Sequence, residues 1–245
     1  MLASVLALAL GGQACWDLYD GAMRHRAAAA HPAYVQYDEN TALHIDGYPI
    51  VSATATVRYR SDGLARVEDS RFVDYSWVTD HVEPGPPELG PYGKNRSAWL
   101  PMDEPGLPSV IAEVRKHGAA ACTNLGLEQL HGHLAYHLKI TPFDASRPSL
   151  KALWIDADTA EIWKVVVSGR LFVIDGPQEN SPVVDFEVEL AAEGSYVMVQ
   201  HVTWHYRMPI YSQYSNYFGE YYLSNFHYPN ALPPVTFALN NHAVI

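Results

Sequence analysis

Tyr136-His137-Leu138-Lys139-Ile140-Thr141-Pro142, then Ala152-Leu153-Trp154-Ile155-Asp156-Ala157-Asp158-Thr159, then Ile162-Trp163-Lys164-Val165, is the stretch that decides the fold. Leu134, Tyr136, Leu138 and Ile140 share one parity. His133, Ala135, His137 and Lys139 share the other. This period-two alternation is that of a strand with one buried face. Thr141-Pro142-Phe143-Asp144 ends the strand. Ser149 to Asp156 and Glu161 to Val173 form the next pair, joined at Ala157-Asp158-Thr159. Aspartate suits such a turn because its side chain bonds nearby backbone N–H groups. Asp156 and Asp158 are therefore read as turn residues rather than catalytic acids.

The same grammar continues on both sides. Val183 to Leu190 and Ser195 to Tyr206 form a further hairpin around residues 192–194, and Tyr217 to His227 reads as the last long strand. Upstream, Ala55, Val57 and Tyr59 alternate with Thr56, Arg58 and Arg60. Ser61-Asp62-Gly63 is a hairpin-turn signal, with Leu64 to Ser70 as the return strand and Arg71 to Trp77 as another β-type run. Two helices are expected: Trp16 to about Ala30, stopped by Pro32, and Ser109 to Lys116. Glu83 to Pro108 carries Pro84, Pro86, Pro87, Pro91, Pro101, Pro105 and Pro108. It reads as a long surface loop without regular elements, pinned by Trp99 and Leu100.

Sequential antiparallel hairpins imply one large curved sheet, and two short helices cannot fill its concave side. The fold class is mainly β (α+β): a large curved antiparallel sheet forming an unclosed barrel, with two or so short helices as lid or plug on the concave face. The 245 residues fit one such domain, and 48% hydrophobic content suffices for its core.

Met1 to Leu10 is apolar and Gly12-Gln13-Ala14 resembles a cleavage site, so residues 1–14 read as a signal-like segment and 15–245 as a single domain. Export makes a Cys15–Cys122 disulfide feasible; lipidation of Cys15, or two buried thiols, are the alternatives. Sixteen Lys and Arg against 27 Asp and Glu give a net charge of −11, a poor match for nucleic acid. No segment has the apolar length of a transmembrane helix.

The segment Leu130–Val167 resembles the middle hairpins of the outer-membrane lipoprotein carrier superfamily, the LolA and LolB type. In that family a strand ending in Thr-Pro or Leu-x-Pro precedes a Leu-Trp-Ile-Asp strand, a short turn and a strand of the form x-x-Lys/Arg-Val. Thr141-Pro142, Leu153-Trp154-Ile155-Asp156 and Lys164-Val165 match it. The resemblance implies an unclosed barrel with an apolar cavity under helical lids, and periplasmic traffic of acyl chains or lipoproteins.

The function expected is thus a periplasmic or envelope carrier-like protein holding acyl chains of a lipid or lipoprotein. An envelope interaction or sensor module of the same fold, with a protein partner, is the alternative, and a metal-dependent or hydrolytic enzyme ranks third. Strand parity nominates Val57, Tyr59, Leu138, Ile140, Trp163 and Val165 as the ligand-lining residues. Gly-x-Ser-x-Gly, His-Glu-x-x-His, Walker and Cys-x-x-Cys motifs are absent from the sequence. No catalytic residue, metal or cofactor is expected. His131, His133 and His137 share a parity opposite to the apolar set, and His201 and His205 share a face; they read as solvated surface histidines. The aromatic run from Trp204 to Tyr228 reads mainly as cross-strand core packing.

Overall fold

The computed structural model describes residues 2–61, 64–74, 81–84, 88–91, 119–143, 149–170, 183–210, 213–233 and 236. The expected helix at Ser109–Lys116, the pinning residues Trp99 and Leu100, and most of the Pro-rich segment lie outside them.

Among the described residues there is one helix, α1 (Leu2–Ala28), followed by twelve strands. These are β1 (Tyr34–Ile45), β2 (Tyr48–Arg60), β3 (Leu64–Asp74), β4 (His81–Pro84), β5 (Glu88–Pro91) and β6 (Ala119–Leu130). They continue as β7 (His133–Pro142), β8 (Ser149–Asp156), β9 (Ile162–Arg170), β10 (Val183–Glu193), β11 (Tyr196–Ile210) and β12 (Gln213–His227). All pair antiparallel in a single sheet of order β4-β3-β2-β1-β12-β11-β10-β9-β8-β7-β6, with β5 pairing β3. The sheet is not closed into a barrel: β6 lies at one end of the order and β4 at the other.

Two expectations change. Arg71–Asp74 is not a separate strand but the continuation of β3. The Pro-rich segment is not wholly irregular, because β4 and β5 form there and pair with Arg71–Asp74 and Leu64–Val67 of β3. Pro84 and Pro91 end these four-residue strands, which among the described residues pair with β3 alone, so a missing N–H costs little.

The core lies on the face that α1 covers. Tyr37, Leu138, Leu150, Leu153, Ile155, Ile162 and Phe186 are fully buried there. Each such side chain contributes about 1.5–3 kcal/mol through removal from water. A second small cluster, Ala135, Ala152 and Trp154, packs on the outer face, so β8 is buried on both sides. From α1, Cys15, Tyr19 and Ala22 enter the main core; their i, i+4, i+7 spacing puts them on one stripe.

Candidate functional site

The helix-covered face is fastened at two points. Cys15 is disulfide-bonded to Cys122 on β6, with Cα atoms 5.8 Å apart. At the C-terminal end of α1, His25 Nε2 lies 3.3 Å from Glu161 Oε2 and Arg26 Nη1 lies 3.9 Å from Glu161 Oε1. Both Arg26 amino groups also donate to the Val197 carbonyl at 3.4 Å. Cations in the last turn of a helix meet its unpaired carbonyls favourably. Glu161 sits in the β8–β9 turn and is nearly buried, which strengthens its pairing with them.

Five of the six lining candidates, Val57, Tyr59, Leu138, Ile140 and Val165, are brought together in this core. Trp163 is not. Trp154 pairs with Lys164 but Ile155 pairs with Ile162, so the register slips and Trp163 is the extra residue of a bulge. Ile162 and Val165 face the core, while Trp163 turns to the outer face. Its Nε1 donates to Asp156 Oδ2 at 2.9 Å, and its ring packs on His133 with centroids 4.5 Å apart. The apolar pair Ile162 and Val165, three apart rather than two, was the signal for this bulge.

Asp156 performs the turn chemistry expected of it. Its Oδ1 accepts from the N–H groups of Asp158 and Thr159, each at 2.9 Å. Burial works to raise the Asp156 pKa, but the bonds from Trp163, Thr159 and Asp158 outweigh it and hold the carboxyl far below the usual carboxylate range.

The outer-face histidines are partnered rather than merely solvated. His133 Nδ1 lies 3.1 Å from Asp156 Oδ2. His137 stacks on Trp154 at 4.1 Å, and the Trp154 indole donates to Glu128. Lys164 bonds Glu187 at 2.6 Å and lies 5.5 Å from the Trp154 ring centre. Burial pulls the Lys164 pKa down, yet Glu187 and Glu189 more than restore it, and it ends above its ordinary value. His201 stacks on Tyr222 at 4.1 Å, and His205 packs on Phe218. Beside this ladder is a hollow of about 350 Å3 lined by His131, His133, Trp163, Glu189, Gln200 and His201, with Leu190, Ala191 and Ala192. As they stand, no three His, Cys, Asp or Glu among the described residues are gathered to hold a metal ion.

In the aromatic run, Trp204 and Tyr221 are core residues, and Tyr206, Tyr217, Phe226 and Tyr228 pack against the core. Tyr222 lies on the opposite face, against His201. The side chains of Tyr211 and Tyr214 lie outside the described residues.

No family model matches the chain, and no curated protein matches it. Among solved structures it is similar to a DUF1329 family protein from Desulfovibrio piger, at 14% identity and TM-score 0.48, covering 92% of this chain and 97% of that one. A LolA superfamily protein from Nitrosomonas europaea follows at 10% identity and TM-score 0.40, covering 91% and 97%. A putative outer membrane lipoprotein-sorting protein domain from Vibrio parahaemolyticus stands at 12% identity and TM-score 0.42, covering 89% and 95%. The likeness is one of fold alone.

Sequence reasoning missed His25, Arg26 and Glu161, because nothing local marks an ion pair spanning 136 residues of chain. It also missed Glu189 as a partner of histidines. The β10 alternation shows Glu187 and Glu189 facing away from Val188 and Leu190, but not what stands opposite them.

Proposed function

We infer that this is an exported, non-enzymatic carrier-like protein of the periplasm or cell envelope, which holds an acyl chain of a lipid or lipoprotein between its sheet and α1. The observation that carries this reading is an apolar sheet face covered by one helix that is fixed at its middle by a disulfide and at its C-terminal end by ion pairs. The disulfide at Cys15 is permanent in an oxidising compartment, which itself supports export. The contacts of His25 and Arg26 are reversible ion pairs and hydrogen bonds, so that end of α1 lifts more readily. Residues 15–245 act as the single domain, with 1–14 as its signal-like segment.

An apolar rim lies on β6 and β7, the strand that carries Cys122 and its neighbour. Leu127 and Leu134 are 50% and 43% exposed, and Leu127 pairs with Tyr136, which packs against the core. An acyl chain slides from this rim toward Leu138 and Ile140 as α1 moves. Each Å2 of apolar surface it buries yields about 25 cal/mol, offset by ordering of the chain. Val57, Tyr59 and Val165 belong to the same buried cluster.

The test is native mass spectrometry of gently purified protein, together with uptake of a fluorescent fatty acid. Bound acyl lipid, with uptake that competes with oleate, supports the reading. Clean protein without uptake overturns it and favours a second reading, an envelope interaction module without cargo. One observation supports that alternative: the five core-facing candidates are already 0–3% exposed, so side chains fill the face.

A further inference from the structure

We propose that the outer-face hollow is a site for a divalent zinc-like ion, ligated by the imidazoles of His131, His133 and His201 and by the carboxylate of Glu189. Glu189 Oε2 lies 3.4 Å from His131 Nε2 and 3.7 Å from His201 Nδ1. Both exceed a good N–H···O hydrogen bond, about 2.7–3.2 Å. They approach the separation of two ligands on one tetrahedral zinc, roughly 3.3–3.6 Å for metal–ligand bonds of about 2.0–2.2 Å.

His133, on the wall of the same hollow, is already set up as a ligand. Its Nδ1 is taken by Asp156, at 3.1 Å, which fixes the tautomer and leaves Nε2 to bind. Asp156 is in turn immobilised by Trp163 and two backbone N–H groups. Metal-bound histidines are commonly oriented by a carboxylate in this way. The Nε2 of His201 is buried without a hydrogen-bond partner, 3.7 Å from Glu220 Oε2, so its ring is oriented by stacking on Tyr222 rather than by a carboxylate.

The backbone at His131 adds an independent reason. His131 and Gly132 form the β6–β7 turn with φ of 50° and 89°. The β1–β2 turn has the same form at Asp46 and Gly47, with φ of 51° and 85°. Aspartate or asparagine fills the first position of such a turn at least cost. At β6–β7 a histidine stands there instead and projects its imidazole to the hollow.

The donors are not gathered in advance. The His131 side chain is 59% exposed, so it is free to rotate toward Glu189 and complete the sphere when the ion arrives.

The test is titration of the full chain with zinc chloride, followed by calorimetry and by metal analysis after dialysis. One ion per chain is expected. His131→Asn is the decisive variant, because asparagine keeps the turn while removing the ligand. It should melt at or above the wild-type temperature yet bind zinc roughly tenfold or more weakly. His205→Asn, on the same face but outside the hollow, should leave affinity unchanged. The proposal is overturned by no stoichiometric binding, by unchanged affinity in His131→Asn, or by equal losses in both variants, which would mark diffuse surface binding.

Discussion

The indole of Trp204 on β11 fills the space over Gly219, its partner across the β11–β12 ladder; a Cβ on Gly219 would fall under 3.0 Å from Cε2, Cζ2 and Nε1 of that ring. A glycine within a long strand is thereby explained. It is the floor on which a core aromatic lies, and the tryptophan in turn covers backbone that glycine leaves bare.

Gly219→Ala should therefore destabilise the protein by about 2–3 kcal/mol, since Trp204 has a neighbouring strand beneath it and a packed core around it. Urea unfolding followed by tryptophan fluorescence measures this, and the native emission should shift as Trp204 is displaced. A change under about 0.5 kcal/mol would mean the indole moves aside freely.

The Asp156 carboxyl titrates below its unfolded value of 3.8. A depressed carboxylate contributes stability that is complete above the unfolded value and is lost as pH falls toward the folded one. Asp156→Asn should thus cost about 1–3 kcal/mol at pH 7 through the weakened turn and Trp163 bonds. The gap between wild type and variant should narrow when melts are repeated at pH 3, and an unchanged gap would refute the electrostatic account.

Reducing Cys15–Cys122, or replacing both residues by alanine, opens a loop of 107 residues. The chain-entropy estimate for a loop of this size is about 4–5 kcal/mol. Chemical denaturation with and without reductant should show a loss of this order. A midpoint unmoved by reductant would show that the bridge restrains little in the unfolded chain.

Ala160 occupies the left-handed region at φ 63° in the β8–β9 turn. Glycine is the natural occupant of that position, because it has no Cβ to strain the backbone. Ala160→Gly should leave stability unchanged or raise it by up to about 1 kcal/mol, against the general rule that glycine destabilises. A clear loss in thermal melts would show that the Ala160 methyl matters more for packing than for strain.

Much of the meander from β7 to β12 was legible because strands such as β7 and β10 alternate and the β8–β9 and β10–β11 turns carry Asp158 and Gly194. Alternation also nominated Val57, Tyr59, Leu138, Ile140 and Val165 as residues of one face. It failed at Trp163, where one inserted residue reverses every parity argument that crosses it. Short edge strands at β4 and β5 were hidden by prolines, which disfavour strands only where the lost N–H is needed. The pairing of β1 with β12 left no trace in the sequence, because it depends on which hairpins share a face rather than on any local pattern. Four of the hollow's residues were noticed as histidines or as Trp163. Their convergence came from the β6–β7 turn and β10 meeting beyond the end of the β8–β9 hairpin, a tertiary fact.

That β1–β12 pairing has a consequence for the order of events during synthesis. Among the described strands, β1 is the first in the chain, yet it sits inside the sheet with β12, the last in the chain, as its neighbour. The block β1–β3 therefore emerges with one side of β1 unpaired and waits through the making of β6 to β11 for its partner. Such late, distant pairing slows folding and leaves backbone N–H and C=O groups open to wrong neighbours meanwhile. A permuted chain that begins at β6 and runs through β12 into β1 would place every described strand except β5 next to its predecessor. It should reach the same sheet faster and with less aggregation during refolding.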